Sequence, residues 1–352
     1  MASRVEWIDC AKVWTMILVV LGHSYYYDFE IQYGHFPCSF DINAVDICMS
    51  YKLLTIIKRI IYMFHMPLFM MLSGACFELS NKNTTSFILY IKKKSKRLLF
   101  PFIIVTVFIS VPLKYVSGYW NFSENVIYDI ILGQFVLLGS THLWFIVCLF
   151  WVSIIYYLLK KGVKKHLFFI VVLLYIIGVL LPVNDYFCFK RSLKYILFFY
   201  LGSEFYYLIK DEYITPTIVL FTSAFFLGGI YYQLFLYTHP IVNVIVIVVT
   251  AICGSYLMCI IAYYSSYKID KLLLKIPFYN SLYHHSYDYY LYSDCINCLF
   301  ILIATSSCGA KVVCDNSYSI LTYLLRTFVQ FAFAYYVILM FKRLRVRVVG
   351  HC

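Results

Sequence analysis

The sequence predicts an all-α protein, a polytopic transmembrane helical bundle of about ten spans with both termini cytoplasmic. Three observations carry that prediction. The 352 residues are 63% hydrophobic and only 13% charged, where soluble domains run near half apolar and a quarter charged. Apolar runs of about 20 residues recur along the whole chain, each long enough to cross about 30 Å of hydrocarbon. Basic residues concentrate in alternate loops, which is the positive-inside pattern.

The expected spans are Trp7–Tyr27, Ile60–Phe77, Leu98–Val116, Leu143–Leu159, Leu167–Pro182, Leu193–Ile209, Ile214–Leu236, Ile241–Tyr264, Tyr283–Thr305 and Ile320–Phe341. Ser50–Arg59 reads as an interfacial helix leading into the second span, and Ser123–Phe135 as another. One set of loops carries Lys82, Lys92–Lys94, Lys96 and Arg97, then Lys160, Lys161, Lys164 and Lys165, then Lys210, Lys268, Lys271 and Lys275. Arg4 precedes the first span, and Lys342, Arg343, Arg345 and Arg347 follow the last. The opposite set is more acidic, with Asp28, Glu30, Asp41, Asp46, Glu124 and Asp129. Lys52, Lys58, Arg59, Lys190 and Arg191 run against this bias. The chain, 1–352, is expected to be a single transmembrane domain with no separate soluble domain and no tandem repeat.

The net charge of +12 is explained by those loops, so a nucleic-acid partner is not expected. The first apolar run lacks a small-residue cleavage site and reads as a retained span rather than a signal peptide. Of the 13 cysteines, several lie inside apolar runs as small buried hydrophobes. The lone Cys295-Ile296-Asn297-Cys298 motif has no second pair, so no metal site is expected. Cys308 and Cys314 share a short loop and are within reach of pairing.

Polar groups inside spans are costly and mark candidate sites. The first span holds Asp9, Lys12 and His23. Lys12 and His23 lie eleven residues apart, on one helical face and about 16 Å apart along it. Asp9 and Lys12 read as a pair near the interface, with Lys12 snorkelling. His65, in the second span, falls at a depth matching His23. Pro67 follows it as a kink signal, and Ser73-Gly74 as a close-packing signal. Arg326 lies inside the last span. Trp144 opens the fourth span as an interface anchor or a stacking surface.

Taken together, Trp7-Ile8-Asp9-Cys10-Ala11-Lys12, Val19-Val20-Leu21-Gly22-His23-Ser24, Phe64-His65-Met66-Pro67-Leu68-Phe69, Leu72-Ser73-Gly74, Arg97-Leu98-Leu99-Phe100-Pro101, His142-Leu143-Trp144-Phe145, Tyr200-Leu201-Gly202 and Ser286–Asp294 resemble the acyltransferase-3 family. The resemblance runs in order over essentially the whole chain. It implies an integral membrane O-acyltransferase moving an acetyl group from acetyl-CoA to a cell-surface polysaccharide or lipid-linked sugar. It places the family's basic-x10-His pattern on Lys12 and His23, with His23 and His65 as catalytic candidates. Its paired basic motif falls on Lys94 and Arg97, which with Lys12 would hold the phosphates of CoA. Lys94 stands where the family often has Arg, and Asp294 lies where a His often follows. Asp9, Ser73, Trp144, Asp294 and Arg326 are supporting candidates. The implied setting is the bacterial cytoplasmic membrane. The alternatives are a transporter or flippase of a sugar lipid or metabolite, which predicts internal pseudo-symmetry, and a non-catalytic scaffold.

Overall fold

A computed structural model describes residues 5–25, 45–80, 86–139, 141–210, 214–236 and 239–343. Arg4, Tyr27, Asp28, Glu30, Asp41, Lys82, Arg345 and Arg347, which entered the span and charge readings above, lie outside the described residues. Among the described residues the chain is helical, with no strand.

The helices are α1 (Glu6–His23), α2 (Met49–Ser80), α3 (Phe87–Val116), α4 (Val126–Phe135), α5 (Trp144–Gly162), α6 (Leu167–Leu180), α7 (Phe189–Lys210), α8 (Pro216–Leu236), α9 (Pro240–Leu273), α10 (Pro277–Cys308) and α11 (Asn316–Arg343). Every expected span falls on one of them. Seven, namely α2, α3, α5, α8, α9, α10 and α11, are long and apolar enough to cross a membrane. The helices of the other three expected spans differ for visible reasons. α1 carries Glu6, Asp9 and Lys12, α6 has 14 residues, and α7 carries Lys190, Arg191, Lys194 and Glu204. The protein is an integral membrane helical bundle. Its peripheral helices show apolar side chains outward, including Phe169, Leu220, Phe221, Phe225, Ile241 and Phe328, as lipid contact requires.

Local sequence starts the helices. Ser86, Asn125 and Thr215 cap the amides of Leu89, Tyr128 and Ile218, each satisfying a donor that the first turn leaves open. Pro216 and Pro277 stand at helix starts, where a missing N–H costs nothing. Inside α3 the prolines act differently. The turns Ser95–Leu99 and Thr106–Ser110 are π-helical, and they lead into Pro101 and Pro112. Proline removes an i→i−4 donor and crowds that carbonyl, so the ladder widens by one residue. The carbonyl that Pro101 fails to serve is that of Arg97, and Tyr287 Oη donates to it at 3.4 Å.

Ser50–Arg59 is helical and leads into the second span, as expected, with no break between them. Met49–Ser80 is one unbroken helix of 32 residues with Pro67 inside. At 1.5 Å per residue it is about 48 Å long, so its N-terminal third extends past a hydrocarbon core of about 30 Å. Leu53, Ile56 and Ile57 are exposed there. Within the second such segment, Ser123–Phe135, a helix forms as α4.

α1 packs against α2, α9, α10 and α11, and α2 against α1, α7 and α9. The α2–α7 contact is backbone to backbone. A Cβ on Gly74 would collide with the Phe199 carbonyl, and one on Gly202 with the Met71 carbonyl. Ser73 Oγ bonds within its own helix, to the Phe69 carbonyl at 2.8 Å. Cys308 and Cys314 stand as free thiols.

Gly202→Ala is therefore expected to lower stability by about 1–3 kcal/mol through overpacking. Gly228→Ala, where a Cβ meets open space, should be neutral or stabilising. Thermal unfolding of the two purified variants separates the cases, and an equal melting temperature in Gly202→Ala would remove the close-contact argument.

Candidate active site

His23 ends α1, where the chain leaves the helix. Ser24 turns back to the Val20 carbonyl through its hydroxyl at 2.7 Å and accepts from Gln330 Nε2 at 2.8 Å. The His23 carbonyl accepts from Asn297 Nδ2 at 3.4 Å. The end of α1 is thus held by α10 and α11 before its side chain is considered.

The side chain meets Asp294, which lies on a 3₁₀ turn, Ser293–Ile296, inside α10. Asp294 Oδ1 is 3.1 Å from His23 Nδ1, and Oδ2 is 3.2 Å from His142 Nδ1. Asn297 Nδ2 also donates to Oδ1, and Arg326 Nε donates to Asn297 Oδ1 at 2.8 Å. A chain of polar contacts therefore runs from Arg326 through Asn297 to one carboxylate shared by two imidazoles. Arg326 and Gln330 are fully buried on one face of α11.

The two histidines have different chemistry. His142 is buried, and its Nε2 lies 3.1 Å from the Leu291 carbonyl. Both its ring nitrogens face acceptors, so both carry protons and the ring is an imidazolium. Burial works against that charge, but the Asp294 carboxylate and the Cys295 sulfur outweigh it and raise the His142 pKa to about 10. Tyr290 Oη donates to the His142 carbonyl and fixes its backbone as well. At His23 the carboxylate fixes the Nδ1–H tautomer, which puts the basic lone pair on Nε2.

His65 is buried one aromatic ring away. Its Nδ1 lies 2.9 Å from the Ile61 carbonyl of its own helix. The Tyr62 ring stands 4.7 Å from the His65 ring and 6.1 Å from the His23 ring. The group at His23 Nδ1 is therefore Asp294, while His65 supports Tyr62.

The remaining predicted residues lie elsewhere. Lys12 pairs with Asp9 at 3.0 Å, as its spacing indicated, one end of α1 away from His23. Lys94 lies over the Tyr90 ring at 5.4 Å, and Arg97 sits on the first π turn of α3. Trp144 is engaged by the Arg191 guanidinium at 5.0 Å and by the Tyr195 ring at 5.5 Å. Sequence reading missed His142, Asn297 and Gln330. His142 stood in a stretch read for its tryptophan, and Asn297 inside a cysteine motif read for its sulfurs.

A family model described as an acyltransferase domain matches residues 5–344. No curated protein and no solved structure matches the chain.

His142 gives a pH prediction. Its folded-state pKa of about 10 lies above the ordinary value of about 6.5. Its contribution to stability is complete below about pH 6.5 and is lost as pH rises through about 10. The melting temperature should fall over that window, and His142→Gln should flatten the fall. An unchanged pH profile in the variant would show that the imidazolium does not contribute.

Proposed function

Because the chain belongs to the acyltransferase-3 family, we propose that it is an integral membrane O-acyltransferase that moves an acetyl group from acetyl-CoA to a hydroxyl of a cell-surface polysaccharide or lipid-linked sugar. The observation that carries this reading is the Asp294 carboxylate, 3.1 Å from Nδ1 of His23. A base oriented by a carboxylate is the arrangement by which weak oxygen nucleophiles are activated.

In this reading His23 Nε2 takes the proton of the acceptor hydroxyl as its oxygen attacks the thioester carbonyl. The tetrahedral intermediate collapses with cleavage of the C–S bond. The departing CoA sulfur takes the proton back from His23, which returns the enzyme to its starting state. Asp294 remains ionised throughout and stabilises the imidazolium that forms. His142, already charged, holds the other carboxylate oxygen and keeps Asp294 in place. In this reading transfer is direct and needs no acyl-enzyme on Ser73, whose hydroxyl donates to the Phe69 carbonyl of its own helix.

The donor enters from the Lys12 end of α1. Lys94 and Arg97 hold its phosphates, with Lys12 at the margin, and the pantetheine arm spans the distance to His23. That distance is about 16 Å along α1. This polarity agrees with ten spans and cytoplasmic termini in a bacterial inner membrane, and it brings the acceptor from the opposite side.

The test is acetyl transfer from radiolabelled acetyl-CoA to extracted surface glycan by purified protein in nanodiscs. His23→Ala and Asp294→Asn should each lower the rate by about 10²–10⁴-fold, the usual worth of a positioned base, with CoA binding retained. His65→Ala should cost much less. Well-folded wild type that binds no CoA would overturn the reading and favour a transporter.

A further inference from the structure

A second polar cluster lies beside Asp294, and the acyl-transfer chemistry makes no use of it. Lys114 near the end of α3, Tyr119 and Trp120 in the following turn, and Gln134 on α4 converge there. Lys114 Nζ donates to Gln134 Oε1 at 3.1 Å and stands 4.5 Å from the centre of the Tyr119 ring. Tyr119 and Trp120 meet edge to face at 5.0 Å and pack on Cys298. Lys114 is within electrostatic reach of Cys298, Asp294 and Cys295, so the cluster adjoins the candidate active site.

The cluster has more donors than acceptors. Gln134 is 1% exposed, Tyr119 0% and Trp120 3%. Gln134 Nε2, Tyr119 Oη and Trp120 Nε1 have no hydrogen-bond partner. Buried polar groups are normally satisfied, and an indole N–H and an amide NH₂ can only donate. The ligand these groups await is one that accepts. The backbone carrying Gln134 is also under tension. It is π-helical over Ile131–Phe135, and the buried Leu137 that follows is held at φ 68°. π turns and left-handed non-glycine residues concentrate at functional sites. At the same end of the bundle the Lys58 ammonium lies 5.2 Å from the Tyr62 ring, itself beside His23. Lys58 and Arg59 are among the cations that run against the loop charge bias.

We infer that Lys114, Gln134, Tyr119 and Trp120 form a subsite for an anionic oxygen group on the acyl acceptor, a carboxylate or a phosphate ester. The acceptor is then an acidic glycan or a phosphate-linked sugar rather than a neutral one. This assignment of the substrate class rests on the acyl-transfer reading, but its binding step can be measured without turnover. The anion accepts from the Gln134 amide, the Tyr119 hydroxyl and the Trp120 indole and faces the Lys114 ammonium. Its sugar is thereby anchored next to Asp294 and His23.

The experiment titrates full-length protein in nanodiscs with trigalacturonate, its methyl ester, glucose 1-phosphate and glucose. In wild type a charged probe should bind at least about tenfold more tightly than its neutral counterpart, the scale of one charge-assisted hydrogen bond. That preference should vanish in Lys114→Gln. It should vanish also in Gln134→Glu, which places a carboxylate against Lys114 from within and keeps the cation paired if the first variant folds poorly. Preference for trigalacturonate identifies a uronate acceptor, and preference for glucose 1-phosphate a phosphate-linked one. Equal binding of charged and neutral probes, or a preference that survives both variants, overturns the subsite. Charge-selective binding without acetyl transfer from bound acetyl-CoA retains the subsite and removes the acyl-transfer reading. Transfer to acid and methyl ester at equal rates, without selective binding, does the reverse.

Discussion

A carboxylate in the interior of a membrane protein is tolerable only where donors surround it, and Asp294 sets that demand here. Three side chains meet it. α1 supplies His23, the segment before α5 supplies His142, and α10 itself supplies Asn297, which is held in turn by Arg326 on α11. Removing any one of these leaves charge with less compensation, which is why such networks fix a unique packing. The end of α1, the entry to α5 and the middle of α10 are therefore tied to one point. The pairing of His23 and His142 on one carboxylate follows from satisfying that charge.

The scaffold around that point is held by closeness of a different kind. Gly74 and Gly202 let α2 and α7 approach until backbone meets backbone, as in small-residue contacts between membrane helices. That contact is apolar and lies apart from the polar chain. α2 buries 67% of its most apolar window and α8 only 6%, so the bundle has a tight inner layer and an outer layer facing lipid. The fold separates its close packing, which comes from the glycine contact and the aromatic rings, from its polar network, which centres on the carboxylate.

Much of this was legible in the sequence, and the limits have physical causes. Span positions were readable because apolar length is a local property. How many helices cross was less so, because α1 and α7 carry charges whose cost depends on what they pack against. The Lys12–Asp9 pair was readable from its spacing within one helix. His23 was readable as a titratable group where such groups are expensive. Its partner came to notice only as a departure from a family pattern. His142 and Leu291, 149 residues apart, meet through tertiary packing that no local pattern announces. Ser50–Arg59 was readable as a helix entering the second span from the membrane boundary, and it continues into that span without a break. A helix can continue across that boundary, since a change of solvent does not by itself interrupt its hydrogen bonds.

The π turns of α3 change the direction in which the side chains beyond them face. Lys94 and Lys114 are 20 residues apart. In a regular helix, at about 100° per residue, they would point some 200° away from each other. Each π turn takes up one additional residue and rolls everything after it back by about 100°. Two of them bring the two ammonium groups to nearly the same azimuth. Pro101 and Pro112 thus act as phase shifters, aligning a cation at each end of α3 along a single meridian of the rod.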